Sequence, residues 1–545
     1  MTELSTTIPA AEPATGAARD AFDRLTPLGW SGGLAAIIAA LLLSFLLFGY
    51  FVIYWRNADM DFMITYSALA MNDGKPQHYV DHTAYLTILS VKSWFQLLHG
   101  MGLLDAYTLP AIPPTTNVAA FDAAMTEAVR AARVLMLLIA SGCVLIFAGL
   151  SRLILRDWRV ALMATLAFAS SGGIAVHSRI VRSELVAACP VIFALMILIF
   201  IGRRGSLWRP LGVALAAALC MIGLENKVQA ILLIGTLPIA ILPFGSEQSQ
   251  SVSFWRSRGS LIAILVAAIA AAAAIWSVWP LVSLGFDQSE LRSAVFHPLL
   301  LDRFGVYQAA LMVLILGCMI AFAALWRVSA TETVTSMLAL IAGAAAALLV
   351  LNIDLNASDV IAVFNPLEKM LTFADASTSQ AANGSSLAAV LWLLVEGVAS
   401  VLARYTFVLH SSPRPTVFLT WLIFPGIVYA WRHGKKQLAL QSLFLMGAAI
   451  GIDAITVRRG LKIEYSVFTD PLIILAGAFL LDSMRSLRFH KWAYPIAATL
   501  IGLHIAVGQA EPIKYAFKRT GPDSICEWSP YYMPRLQLPW CPVKS

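Results

Sequence analysis

Two carboxylates, Asp59 and Asp61, stand just beyond an apolar run, Gly32 to Tyr54, that is long enough to cross a bilayer once. A carboxylate placed there can take a proton from an approaching hydroxyl, or simply cap the helix that follows. Three short polar turns farther along interrupt otherwise apolar sequence. They are His177-Ser178-Arg179-Ile180-Val181-Arg182-Ser183-Glu184, then Glu225-Asn226-Lys227, then Arg458-Arg459-Gly460-Leu461-Lys462-Ile463-Glu464-Tyr465. A charge at mid-bilayer costs on the order of 2.5 to 3.5 kcal/mol, so charges in such turns should face a protein-lined cavity or reach water. Cationic turns on the same side as an acidic loop suggest a pocket for an anion. The plainer alternative for Arg179, Arg182 and Lys227 is that each anchors a lipid headgroup.

The elements that must position these residues are set by composition. Of 545 residues, 59% are hydrophobic and 13% charged, and the mean hydropathy is +0.77. Apolar runs of roughly twenty residues separated by short basic loops predict an all-α polytopic membrane protein and exclude a soluble enzyme. After the first span, further spans are expected near 134–155, 160–177, 185–202, 210–224, 228–244, 260–285, 304–326, 334–353, 415–431, 437–456, 466–481 and 492–508, about 13 in all. Alternating from a cytoplasmic N-terminus, they put Arg152 to Arg159, Arg203 with Arg204 and Arg209, Arg256 with Arg258, Arg327, Arg432 with Lys435 and Lys436, and Arg485 to Lys491 on one side. That is the positive-inside pattern, so the net charge of +7 points to no nucleic-acid partner. Leu387 to Val401 is apolar enough to span, yet adding it alone would invert Arg432 to Lys436. It is therefore read as interfacial or re-entrant.

This divides the chain into a disordered cytoplasmic tail (1–28), a transmembrane domain (29–510) and a short external tail (511–545). The domain carries a first external loop (55–130) and a second large external segment (354–412). Within the first loop, apolar spacing predicts amphipathic juxtamembrane helices over 58–71 and 83–98 and another helix near 121–133. Asn72-Asp73-Gly74 and Pro76 end the first of these. Cys143, Cys189, Cys220 and Cys318 fall inside spans as small core residues. Cys526 and Cys541 lie in the external tail, where a disulfide persists; the bridge would be worth ~3 kcal/mol. No Walker loop, dinucleotide-binding glycine fingerprint or HExxH occurs.

The first loop resembles that of the integral-membrane GT-C glycosyltransferases, most closely the protein O-mannosyltransferase and lipid A aminoarabinose transferase branch. The resemblance rests on Asp59, Tyr66, Gly74 and the Tyr79-Val80-Asp81-His82 stretch, and it departs at Met60 and at Thr83-Ala84. Later positions fit as well: Arg179 or Arg182 with Glu184, then Lys227, then Glu464-Tyr465 with Pro471. The likeness covers roughly residues 30 to 510. It implies a GT-C-like bundle in a bacterial inner membrane, with the C-terminus periplasmic. The implied activity is transfer of a sugar from a polyprenyl-phosphate donor to a lipid, glycan or protein acceptor by inverting displacement. Asp59 is then the base, with Asp61 assisting or replacing it. His82, Arg179, Arg182 and Lys227 hold the donor phosphate, and Tyr66, Glu184, Arg404, Arg459, Glu464 and Tyr465 support the pocket. No cofactor is required by the pattern. Residues two apart on a helix point about 200° apart, so Asp59 and Asp61 share a divalent metal only if that stretch is extended, and metal dependence stays open.

Two other classes compete. An O-antigen ligase or polymerase using diphosphate-linked glycans would place its chemistry in 354–412, on Arg404 and His410. A lipid or sugar transporter would show internal repeats and midplane charges, and no clear repeat is visible.

Overall fold

In a bilayer each backbone polar group must be satisfied within its own segment, so long apolar runs become helices. The computed structural model describes residues 28–57, 61–75, 84–203, 207–227, 229–242, 251–283, 305–351, 387–410, 414–456, 461–483, 490–517, 525–527 and 529–542. Among them there are helices and turns and no strand. The chain starts with α1 (Leu28–Phe45), which runs on through a π-type turn, Leu46–Tyr50. The first loop holds α2 (Met63–Asn72) and α3 (Tyr85–Gly100), followed by α4 (Val118–Ile154), α5 (Trp158–Ala169) and the short α6 (Gly172–His177). Next come α7 (Glu184–Arg203), α8 (Arg209–Asn226), α9 (Ala230–Ile241), α10 (Ser260–Ser283), α11 (Gly305–Leu325) and α12 (Ala330–Leu351). The last third contains α13 (Leu387–Thr406), α14 (Val417–Arg432), α15 (Lys436–Thr456), α16 (Asp470–Ser483), α17 (His490–Phe517) and the single turn α18 (Ser529–Tyr532).

Eight helices among the described residues are long and apolar enough to cross a bilayer: α1, α4, α7, α8, α10, α12, α15 and α17. Shorter apolar helices, including α5, α9 and α14, stand among them. The chain is an all-helical, multi-pass membrane protein.

Four local differences from the sequence reading have simple causes. The helix expected near 121–133 and the span expected at 134–155 are one continuous helix, α4. Glu127, Arg130 and Arg133 interrupt the apolar run, but the first glycine of α4 is Gly142 and it has no proline, so nothing breaks the backbone. At 37 residues α4 is about 55 Å long, well beyond a bilayer core of about 30 Å. The span expected over 160–177 is instead broken at Ser170 and Ser171, where the Ser171 hydroxyl accepts from Ile174 N–H and starts α6 afresh. The segment expected at 387–401 is a helix reaching Thr406, and its Val401 and Tyr405 are fully buried. Finally, α17 runs to Phe517, past the expected start of the tail at 511.

Polar contacts gather at the two ends of the helices. At one end Arg203 donates to Ile154 O, Asp482 accepts from the Arg156 and Asp157 amides, Tyr494 donates to Asp157, and Lys435 donates to Ser483 O. Arg209 meets Glu332 there at 2.5 Å, fully buried, with Ser251 donating to the other carboxylate oxygen at 2.9 Å. The first loop, the start of α7, the turn after α8 and the turn before α16 come together at the other end. The middle of the bundle is held by close helix packing, which dominates where lipid tails are as apolar as the side chains. A Cβ at Gly343 of α12 would lie 2.1 Å from Ala214 O of α8, so only glycine permits that approach.

Candidate functional site

Asp61 lies just ahead of α2 and is fully buried. Its Oδ2 accepts from Arg133 Nε at 2.8 Å and Nη2 at 2.5 Å, and its Oδ1 accepts from the Val181 amide at 2.9 Å. Arg133, on α4, also donates to the carbonyls of Gly49 at 3.2 Å, Val52, and Ile53 at 3.4 Å. One buried ion pair thus ties the end of α1, the first loop, α4 and the turn before α7 into a single joint. These contacts of the fully buried Asp61 carboxylate are all with protein groups, which suits positioning rather than proton removal. Asp59, the other candidate base, lies outside the described residues, as do His82 and Arg459.

A second network is built on Glu184, the fully buried first residue of α7. Oε1 accepts from Lys227 Nζ at 2.6 Å and Arg182 Nη2 at 3.2 Å, while Oε2 faces Arg182 Nε and His177 Nε2, both at 3.3 Å. Arg182 also pairs with Glu464 at 3.4 Å, and the Lys227 ammonium lies 5.6 Å from the centre of the Tyr465 ring. Burial is the larger influence on Lys227, holding its ammonium below the usual lysine range against the pull of Glu184. Asn226 fixes the neighbouring backbone: its side chain donates to Ser183 O at 2.7 Å and accepts from the Thr87 amide and hydroxyl, each at 3.0 Å. The turn carrying Glu464 and Tyr465, Ile463–Phe468, is pressed onto α6. A Cβ at Gly173 would meet Val467 N at 2.7 Å. The structure therefore brings together Arg182, Glu184, Lys227, Glu464 and Tyr465, with His177 added.

No protein-family model matches this chain, and no curated protein matches it either.

Arg179 stands apart from the Glu184 network. It is 3% exposed and donates to Ser44 of α1 and Gln509 of α17. Tyr66, on α2, is buried, and its hydroxyl accepts from the Arg535 amide at 3.4 Å. Burial raises its pKa first of all. That contact comes from the C-terminal tail, where Cys526 and Cys541 form the expected disulfide. Ile525, Met533 and Leu538 of the tail are buried, and Trp540 packs beside Tyr54 and Trp55. The tail therefore lies over the first loop. Arg404 is on α13, away from both networks, and its carbonyl accepts from the Arg414 amide at 3.0 Å.

Sequence reasoning missed two features. Arg133 is the cation that holds Asp61, and its signal was a lone arginine among Val129, Ala132 and Met136, all fully buried on one face of α4. Arg414 pairs with Asp453 at 2.7 Å and with Asp470 at 3.8 Å, and Tyr405 donates to Asp453 at 2.6 Å. Acidic residues set at the ends of apolar runs, as Asp453 and Asp470 are, were the available signal there. No group of three or more His, Cys, Asp or Glu side chains suited to a metal ion occurs among the described residues.

Proposed function

We propose that this chain is a membrane glycosyltransferase of the GT-C kind. It transfers a sugar from a polyprenyl-phosphate donor to a lipid, glycan or protein acceptor at the external face of a bacterial inner membrane. The observation that carries the reading is the convergence of Arg182, Glu184, Lys227, Glu464 and Tyr465. They come from three separate stretches of chain and meet at the end of the bundle that also holds the first loop. A cationic rim of this kind stabilises the charge that grows on a leaving lipid phosphate, and the inverting displacement needs a base on the acceptor hydroxyl. Asp59 is that base; Asp61, held by Arg133 and Val181, positions the loop that carries it. His82 is assigned to the donor phosphate by the resemblance alone.

The alternation of helix ends supports a bundle of about 13 crossings. Helices α7, α14 and α16 start at the site end and α8, α12 and α15 finish there, and the C-terminal tail packs on the first loop. With the N-terminus cytoplasmic, the site and the tail are periplasmic. The test is release of polyprenyl phosphate from a panel of polyprenyl-phosphate sugars by purified protein in detergent. Wild type should turn over a donor and folded Asp59→Asn should not. Equal activity in both, or consumption of diphosphate-linked glycans alone, would sink the reading.

A further inference from the structure

Arg414 anchors a buried network that the proposed reaction does not use. Its Nη2 lies 2.7 Å from Asp453 Oδ2 of α15 and 3.8 Å from Asp470 Oδ1 of α16, and it donates to the Thr469 hydroxyl. Tyr405 of α13 donates to the same Asp453 oxygen at 2.6 Å. Asp453 is therefore well served, and Asp470 is not. Asp470 is 2% exposed, the guanidinium is too far from it for a hydrogen bond, and its Oδ1 accepts none among the described residues. His504, on α17, is fully buried, and neither ring nitrogen has a hydrogen-bond partner among the described residues. After Arg414 it is the group that acts most strongly on the Asp470 charge, ahead of Asp453. Helix α17 is packed tightly here: a Cβ at Gly508, about one turn past His504, would lie 3.3 Å from Gly172 N of α6 and 3.8 Å from Pro415 Cβ.

Arg414 Nε and Thr416 Oγ1 are buried without partners as well. Buried polar atoms nearly always have a partner, protein or water, so this group marks a place where water or an ion sits. A metal ion there would sit beside the guanidinium of Arg414, whereas water can accept from Arg414 Nε and donate to Asp470 Oδ1. Charge decides what the water carries. Two carboxylates share one guanidinium, and a buried carboxylate left over is costly until a positive charge joins it. A neutral imidazole brings one N–H and one lone pair, while a protonated one brings two N–H groups and the missing charge. The other charged groups of the neighbouring elements are engaged or distant. Glu464 and His177 belong to the Glu184 network, Arg159 and Arg432 stand at the opposite ends of α5 and α14, and Glu511 and Lys514 lie about two turns or more beyond His504.

We propose that Asp470 and His504 form a buried proton site: the pair holds one proton, bridged by water, which balances Arg414 and Asp453 and pins α17 against α14 and α16. The site is independent of what the chain transfers. Asp470 follows closely on the turn that carries Glu464 and Tyr465, so loss of the proton loosens the support of the Glu184 network.

The experiment is denaturant unfolding of the purified full chain in detergent over a series of pH values. A native state that keeps a proton which the unfolded chain gives up loses stability as pH rises. A free imidazole gives up its proton at about 6.5. Above about pH 7 the wild-type equilibrium should therefore move up to about tenfold toward the unfolded chain per pH unit, until the pair itself titrates. Asp470→Asn keeps shape and volume and should remove this one-proton dependence. His504→Gln should shift it to lower pH, because the carboxyl then holds the proton alone. The same pH dependence in wild type and folded Asp470→Asn overturns the site, as does a loss in His504→Gln that is equal at every pH, the mark of packing alone. Wild-type stability that is level above about pH 7 overturns it without any variant. Stability that follows sodium or potassium concentration and not pH overturns it in favour of a metal ion.

Discussion

Arg209 and Glu332 at one end of the bundle, and the residues around Glu184 at the other, are both buried ion networks, and they are built differently. The first is closed: one guanidinium, one carboxylate, Ser251 on the remaining oxygen, and the Trp326 ring 5.9 Å from the guanidinium. The second is shared: Arg182 and Lys227 divide Glu184, Arg182 reaches on to Glu464, and His177 looks at the same carboxylate. A closed pair can be exchanged for apolar side chains of like volume with little loss, because desolvation had already consumed most of its attraction. A shared cluster cannot, because its members also present charge to whatever lies beside them. Similar burial thus serves architecture at one end and, on the proposed reading, chemistry at the other.

The comparison breaks most readily by removing single partners. Glu332→Leu leaves the buried Arg209 without its carboxylate, and Glu184→Gln does the same to Lys227; each should cost ~3–5 kcal/mol in thermal or denaturant unfolding. The double change Arg209→Met with Glu332→Leu should recover most of that loss and keep turnover, whereas Glu184→Gln with Lys227→Met should regain stability without turnover. Opening the tail comes next. Cys526→Ser should cost up to ~3 kcal/mol locally and make the chain beyond 517 sensitive to limited proteolysis while the helices resist. Gly343→Ala drives a methyl onto Ala214 O and should cost ~1–3 kcal/mol in thermal unfolding, with no change in lipid binding.

Much of this was legible because a bilayer leaves few options. Apolar runs had to be helices, and charges in the short turns at 177–184 and 225–227 had to face a protein-lined cavity or water; of these, Arg182, Glu184 and Lys227 meet one another in the buried network. The Cys526–Cys541 bridge followed from the sidedness of the basic loops. Partner choice was not legible, since it depends on rotation of helices about axes that one-dimensional periodicity leaves undetermined. Arg133 and Arg130 look alike as neighbouring arginines of α4. One turns inward to Asp61 and the other lies 5.1 Å from the centre of the Tyr50 ring. Arg179 and Arg182 are likewise three apart in one turn, and only the fold shows that Glu184 serves the second of them.

The tail has a consequence in time as well as in space. Residues 525–542 are made after every long helix, yet they close over Tyr54, Trp55 and Tyr66, which are among the earliest to emerge. The first loop therefore waits, half-finished, through nearly the whole of translation, and it matures only when the last residues have packed against it and the Cys526–Cys541 bridge has closed. A ribosome that stops short would leave an inserted protein with an unsealed loop.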